Sequence, residues 1–247
     1  MNATDPGYGE RIAGVYDQFY SGYDAAAVAA LQQLAGGGRA LELGIGTGRI
    51  ALPLRAAGVE VHGIDLSPAM VERLRSKPGG DRIPVTVGNF ADVGVEGQFA
   101  LIYVLFNTFF QLLTQDEQVR CFENAARRLA PGGVFVVEAF VPDLSRFARN
   151  QAVGATHVDE AAVRLEVSTH DPVAQRVTTQ HVVLTEQGTR FYPVKIRYAW
   201  PAELDLMARL AGLRLLHRWG AWGQAAFTAE SGKHVSVYTA ASEEGAP

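Results

Sequence analysis

Apolar runs and amphipathic segments alternate along the chain between residues 40 and 139. Short apolar runs predict five strands, at residues 40–43, 59–64, 83–87, 99–105 and 134–139. The segments between them place apolar side chains at helical spacing and predict helices at residues 49–57, 68–76 and 116–129. This alternation favours a parallel sheet covered by helices on both faces.

The two ends of this region follow different patterns. Residues 8–20 predict one amphipathic helix, and Asp24 is placed to cap a second helix that ends at Gly36. After residue 140 the alternation has a period of two, which predicts strands at residues 163–169, 176–185 and 190–198. A helix at residues 201–211 and strands at 213–219 and 235–240 complete the pattern, and the tail 242–247 is predicted to be disordered.

These elements predict an α/β fold in which a Rossmann-like parallel sheet ends in an antiparallel last strand and carries an inserted antiparallel β meander. Residues 1–157 and 200–241 are expected to form the main domain. Residues 158–199 are expected to form the insert, either as a cover for the substrate or as a dimer contact. A homodimer is therefore possible.

Composition narrows the classes of partner. The 247 residues carry a net charge of -4 with dispersed Lys and Arg, which argues against a nucleic-acid partner. The single cysteine, Cys121, excludes a disulfide within the chain, and no apolar run has the length of a membrane span. Because the first eleven residues also lack the apolar run of a signal peptide, we expect a cytoplasmic protein.

A glycine-rich loop follows the first predicted strand. Glu42 lies in that strand, and Gly44, Gly46 and Gly48 follow it before the next helix. Glycines let the backbone turn sharply and let a ligand approach where a Cβ would block it. Residues 46–51 also fit the relaxed dinucleotide-binding fingerprint, and a tight turn with no ligand is a further alternative.

Two more loops of the same sheet carry candidate ligand-binding residues. Asp65 ends the second strand at the spacing where an acid accepts the ribose hydroxyls of a nucleotide, although it could simply cap the helix that begins after Ser67. Asn89 and Phe90 follow the third strand. The amide oxygen is suited to an adenine amino group and the ring to packing on the base, and a plain turn is the alternative.

Together these loops resemble the class I S-adenosylmethionine-dependent methyltransferases, over almost the whole chain. Glu42 and the three glycines match the family's acidic motif, which implies that they face the methionine part of the cofactor, where the ammonium needs an anion. The resemblance implies further cofactor-binding residues, namely Asp65, Leu66, Met70, Asn89 and Phe90. Leu105 and Phe106 leave the fourth strand at its carboxyl end, where open α/β sheets place ligands, and are expected to line the methionine side. Asn89 departs from the family, which usually has Asp there.

The segment 16–20 and the predicted meander resemble a subgroup that acts on small molecules, including aminosugar N-methyltransferases and relatives of glycine N-methyltransferase. In that subgroup an N-terminal helix closes over the cofactor, which implies that Tyr16 or Tyr20 contacts the cofactor carboxylate. The alternative is that both are core tyrosines. The implied activity is N- or O-methylation of a natural-product or metabolic intermediate by in-line displacement.

An amine or hydroxyl acceptor needs a proton acceptor unless it arrives deprotonated. Glu138, His170 and His181 are the candidates, and each has a structural alternative: Glu138 could pair with an arginine, and both histidines could face solvent. No cluster has the spacing of metal ligands, so no metal is expected. A nicotinamide-dependent oxidoreductase and a non-catalytic cofactor-binding module remain as alternative functions.

Overall fold

Eleven strands and seven α-helices make up the part of the chain that the computed structural model describes, residues 7–92 and 94–241. The strands are β1 Ala40–Leu43, β2 Val61–Asp65, β3 Val85–Val87, β4 Phe99–Val104, β5 Leu129–Phe140, β6 Gln151–Val158, β7 Ala162–Asp171, β8 Arg176–Thr185, β9 Gly188–Arg197, β10 Leu213–Trp219 and β11 Lys233–Ala240. The helices are α1 Gly7–Ile12, α2 Tyr16–Phe19, α3 Ala25–Ala35, α4 Ala51–Ala56, α5 Pro68–Arg75, α6 Gln115–Arg128 and α7 Pro201–Leu210.

The central sheet has seven strands in the order β10-β11-β5-β4-β1-β2-β3. Strands β1 to β5 run parallel, and β11 is antiparallel to both of its neighbours. Helices α6 and α7 pack on one face, where Phe122 and Tyr238 meet, and α3 and α4 pack on the other. The predicted fold class is confirmed, and β4 and β5 are apolar on both sides because helices cover both faces.

Helix ends follow their local chemistry, with one correction. Asp24 caps α3 through the Ala26 N–H, as predicted. The predicted single helix over residues 8–20 is wrong: α1 ends at Ile12 and α2 begins at Tyr16. Gly14 lies in the break, where its conformational freedom disfavours a continuous helix.

The insert is a separate sheet of four antiparallel strands in the order β6-β7-β8-β9. The predicted insert began at residue 158 and had three strands, so β6 was missed. Seven of the eight residues of β6 are exposed, so it lacks the alternation of buried and exposed positions that would have revealed it. The division into two domains remains a prediction.

The structure does not describe the residues at the two ends of the chain. The predicted disordered tail 242–247 and residues 1–6 of the predicted main domain lie outside the described residues. Within the described residues, no helix combines the length and the apolar composition that crossing a bilayer requires.

A buried polar cluster joins the four-stranded sheet to the main sheet's helices. The Arg197 guanidinium at the end of β9 donates to Glu203 of α7 at 2.7 Å, to Gln118 of α6 at 2.5 Å and to Gln175 at 2.8 Å. Arg197 and Gln118 are both buried. Because both terminal nitrogens of the guanidinium have partners and Glu203 balances its charge, the cluster can hold the insert against α6 and α7.

We expect Arg197→Ala to lower the free energy of unfolding by about 3–5 kcal/mol, because it leaves the Glu203 carboxylate without its cation. Urea denaturation measures the change. Arg190→Ala is the matched control, since Arg190 is an exposed arginine on the same strand, and it should change stability by less than about 0.5 kcal/mol. Equal effects of the two substitutions would contradict this role.

Candidate active site

A cavity of about 820 Å³ lies at the carboxyl ends of β4 and β5, between that edge and the four-stranded sheet. Open α/β sheets bind ligands at this edge. One wall carries Tyr16, Tyr20 and Phe106, and the opposite wall, from the insert, carries Glu166 and His181. A ligand in the cavity therefore contacts the main sheet on one side and the insert on the other.

The three glycines of the loop after β1 serve two purposes. A Cβ on Gly44 would lie 2.4 Å from Thr108 Cγ2, and one on Gly48 would lie 2.3 Å from Leu74 Cδ1, so these two glycines permit close internal packing. Gly46 has φ +55, and the nearest atom to its Cβ position is 4.0 Å away. Gly46 is thus the position of the loop where the backbone borders open space.

Glu42 is a buried carboxyl group, with 4% of its surface exposed. It accepts a hydrogen bond from the Tyr103 hydroxyl at 3.0 Å and another from the Ala51 N–H at the start of α4. Burial raises the pKa of Glu42 to about 8, against the opposing effects of Tyr103 and of the nearby Arg49. Tyr103 itself is fully buried.

Asp65 at the end of β2 holds the glycine loop and caps the next turn. Its carboxylate accepts the Gly46 N–H at 2.7 Å and the Ser67 N–H at 2.9 Å. Burial raises its pKa. The charges of Glu42 and Asp65 act on each other and on the Tyr16 hydroxyl, so the three groups lie near one another. Glu42, Asp65 and the three glycines do not line the cavity itself, and their contacts with a cofactor stay predictions.

Arg49 is a residue of the cavity that the sequence reasoning missed. Its guanidinium lies over the Phe106 ring, 3.4 Å from the centroid, and its Nε is buried without a hydrogen-bond partner among the described residues. The signal in the sequence was its position directly after Gly48. A cationic group with a buried and unused donor is suited to an anionic ligand group.

The turn after β4 is strained where it reaches the cavity. Phe106 and Asn107 have φ of 54 and 65, a conformation that is uncommon outside glycine. The Phe106 N–H donates to Glu138 at 3.2 Å, and the Asn107 side-chain oxygen accepts the Phe140 N–H at 2.7 Å. These bonds hold the Phe106 ring in the wall of the cavity, whereas Leu105 is buried in the core.

The N-terminal helices are tied to the loops after β1 and β2. Glu10 accepts from Ser67 Oγ at 2.7 Å and from the Ala69 N–H at 3.0 Å. Asp17 accepts from Thr47 Oγ1 at 2.6 Å and from Lys77 Nζ at 2.9 Å. These contacts place the rings of Tyr16 and Tyr20, 4.9 Å apart, in the cavity wall.

The residues expected near adenine do not line this cavity. Met70 is buried under α1 against Ile12, and Phe90 packs in the core near Gly44. The Asn89 side-chain oxygen accepts the Ala91 N–H at 2.9 Å, as in the plain turn that was the alternative. Leu66, adjacent to Asp65, is partly buried. Cofactor contacts from these residues stay predictions.

The three candidate proton acceptors differ in their hydrogen-bond partners. Glu138 accepts from Trp222 Nε1 at 3.0 Å and Lys233 Nζ at 3.2 Å, in addition to the Phe106 N–H, so its partner is a lysine and not an arginine. His170 is buried, and its Nε2 is 2.9 Å from the Tyr198 hydroxyl. Both groups are committed to structural hydrogen bonds.

His181 lines the cavity, and one nitrogen of its ring is available to a ligand. Its Nδ1 lies 3.4 Å from Glu166 Oε1, and its Nε2 has no hydrogen-bond partner within the described residues. Burial lowers the pKa of His181, and the negative charge of Glu166 opposes this effect only in part. A lowered pKa favours the neutral imidazole, in which one ring nitrogen can accept a proton.

The comparisons with known proteins agree with this geometry. Residues 40–133 match a family model described as "Methyltransferase domain". The chain is 43% identical to the CcbJ methyltransferase from Streptomyces caelestis, with 96% of this chain and 98% of that chain covered and a TM-score of 0.89. The chain belongs to the S-adenosylmethionine-dependent methyltransferases.

Two further relatives of this methyltransferase are informative. The cypemycin N-terminal methyltransferase of a Streptomyces species is 27% identical over 198 residues, covering 80% of this chain and 81% of the relative. CalS10 from Micromonospora echinaspora, an amino pentose methyltransferase solved with S-adenosylmethionine bound, is 25% identical, with 92% and 95% covered and a TM-score of 0.67. The predicted enzyme class and cofactor are confirmed, and neither alternative function finds support.

We expect the stability of the cofactor-free enzyme to fall as pH rises from about 5 to 9. Folded Glu42 keeps its proton up to a pKa of about 8, whereas the unfolded chain releases it near pH 4.5, so the contribution is complete at low pH and lost as pH rises through the folded pKa. Thermal melting as a function of pH measures this dependence. Glu42→Gln should flatten it.

Glu72→Gln is the control, because Glu72 is an exposed glutamate on α5, and it should leave the pH dependence unchanged. A Glu42→Gln variant with the full pH dependence of the wild type would exclude Glu42 as the source.

Proposed function

We propose that this methyltransferase methylates the nitrogen of a small natural-product amine. The observation that carries the proposal is the cavity between two walls: the carboxyl edge of the main sheet on one side and the His181 imidazole beside the Glu166 carboxylate on the other. The acceptors named for two relatives, a peptide N-terminus and an amino pentose, support the proposal, since both are amines.

The residues at the sheet edge fit the cofactor by charge. Glu42 is suited to the ammonium of the methionine part, and the orphaned Nε of Arg49 is suited to its carboxylate, with Tyr16 and Tyr20 beside it. Asp65 is suited to the ribose hydroxyls. When bound, S-adenosylmethionine supplies a methyl carbon activated by a sulfonium group. The open space at Gly46 leaves room for the cofactor chain to pass close to the backbone.

We assign the remaining predicted contacts to packing and to the adenosine side. Leu66 and Met70 follow β2, Asn89 and Phe90 follow β3, and none of the four lines the cavity. Phe106 borders the methionine side, where its ring is suited to a cationic neighbour. Gly44 and Gly48 act indirectly, because their packing sets the path of the loop.

The insert provides the wall for the acceptor. Its inward face carries Val177, Thr179 and Ile196 beside His181, so it offers both apolar contact and hydrogen-bonding groups. Proton transfer to a neutral imidazole is uphill from an ammonium ion, whose pKa is about 10, and far more so from an alcohol, whose pKa lies much higher. This difference favours N-methylation over O-methylation.

We propose His181, in preference to Glu138 and His170, as the group that accepts the proton. Positioning of the two reactants supplies the larger part of catalysis in such a reaction, up to roughly 7–11 kcal/mol. The division into a main domain and an insert, a homodimer contact at the insert, and a cytoplasmic location stay predictions.

We expect Asp65→Asn to weaken binding of S-adenosylhomocysteine by about 10–100-fold, because hydrogen bonds to a charged acceptor contribute about 1.5–3 kcal/mol. Titration calorimetry measures the affinity. Asp81→Asn, at an exposed position, should bind like the wild type. Absence of wild-type binding at millimolar concentration would refute the assigned cofactor site.

We expect methyl transfer to an amine and not to its hydroxyl counterpart. The matched probes are a methyl aminodeoxyglucoside and the corresponding methyl glucoside, with an alanine dipeptide amide as a second amine. Mass spectrometry detects the added methyl group. Methylation of the hydroxyl sugar alone would contradict nitrogen as the acceptor atom.

A further inference from the structure

Glu166 lines the cavity and is not among the site residues predicted from the sequence. It lies directly opposite His181 in the pairing of β7 with β8, so their side chains emerge on the same face of the sheet. Glu166 Oε1 is 3.4 Å from His181 Nδ1. Its other oxygen, Oε2, is 3.9 Å from the guanidinium of Arg146.

We infer that Glu166 is a positioning residue for His181: it holds Nδ1 and so leaves Nε2 to accept a proton from an acceptor that enters the cavity as an ammonium ion. The inference rests on the proposed function and adds to it the protonation state of the substrate. It applies to primary and secondary amines, which are mostly protonated at neutral pH.

The proton balance of the step is simple. The N–H bond of the ammonium breaks, its electron pair stays on nitrogen, and the proton passes to His181 Nε2. Positive charge moves from the acceptor to the imidazole, where the Glu166 carboxylate stabilises it. The nitrogen then has the lone pair that methylation needs.

The surroundings of His181 single out Glu166 among its charged and titratable neighbours. Tyr192 lies opposite on β9, Arg164 is two residues from Glu166 on β7, and Arg146 lies beyond Glu166. The charge that acts on His181 is that of Glu166, and it opposes the lowering of the His181 pKa by burial. Loss of this carboxylate makes the imidazole a weaker base and frees its tautomer.

Nitrogen-detected NMR titration of His181 in the full chain with S-adenosylhomocysteine tests the inference without an acceptor. In the wild type we expect the proton on Nδ1 and a bare Nε2 above the pKa. Glu166→Gln should lower the pKa of His181 and produce a mixture of its two tautomers, and Glu166→Asp should restore most of the wild-type behaviour. Glu160→Gln, at an exposed position in a turn, should change neither the pKa nor the tautomer of His181. An unchanged pKa and tautomer in Glu166→Gln would overturn the inference.

The kinetic arm uses the methyl aminodeoxyglucoside as the probe. Glu166→Gln should lower the plateau of kcat/KM about tenfold or more and move its acid limb to lower pH, with rescue by Glu166→Asp. A lower plateau with an unmoved acid limb would indicate a merely structural role and overturn the inference. If the wild type does not methylate this probe, the acceptor class of the proposed function is contradicted, and the NMR titration alone decides the role of Glu166.

Discussion

The buried carboxyl group of Glu42 is the constraint around which the site is arranged. It lies at the carboxyl end of β1, with the Tyr103 hydroxyl on one side and the start of α4 on the other. Burial raises its pKa to about 8, so without a cationic partner the group holds a proton at neutral pH. A carboxyl group buried in this way contributes little to the stability of the fold, and its ionised form is suited to binding a cation.

The second constraint is the attachment of two elements, the N-terminal helices and the four-stranded sheet, to the main sheet and its helices. The N-terminal helices are bound through Glu10 and Asp17 to the loops after β2 and β1. The four-stranded sheet is bound through Arg197 to α6 and α7. These contacts are polar, and they hold the N-terminal helices and the four-stranded sheet against the main sheet and its helices. They link folding of the insert to the geometry of methyl transfer.

Much of the main domain was predictable because its signals are local. Strand and helix periods, the caps Asp24 and Ser67, and the loop from Glu42 to Gly48 are contained within a few residues each. The exposed strand β6 has no such signal, and Gly14 broke a helix whose periodicity looked continuous. The fold class could be predicted from the order of the strands and helices alone.

The missed site residues depend on contacts between distant parts of the chain. Arg49 is recognised by its position on the Phe106 ring, and Glu166 by its register opposite His181. The same kind of contact separates His181 from His170, which resemble each other in the sequence but differ because the second is bonded to Tyr198. Pairing register and burial, which sequence periodicity does not specify, decide these roles.

The most direct test of the central role of Glu42 is the number of protons released when S-adenosylhomocysteine binds at pH 6.5. It is obtained from calorimetric enthalpies in buffers of different ionisation enthalpy. Since the ammonium of the ligand favours the ionised carboxylate, we predict release of close to one proton by the wild type and its loss in Glu42→Gln. Binding without proton release, or the same release in the variant, would contradict the account.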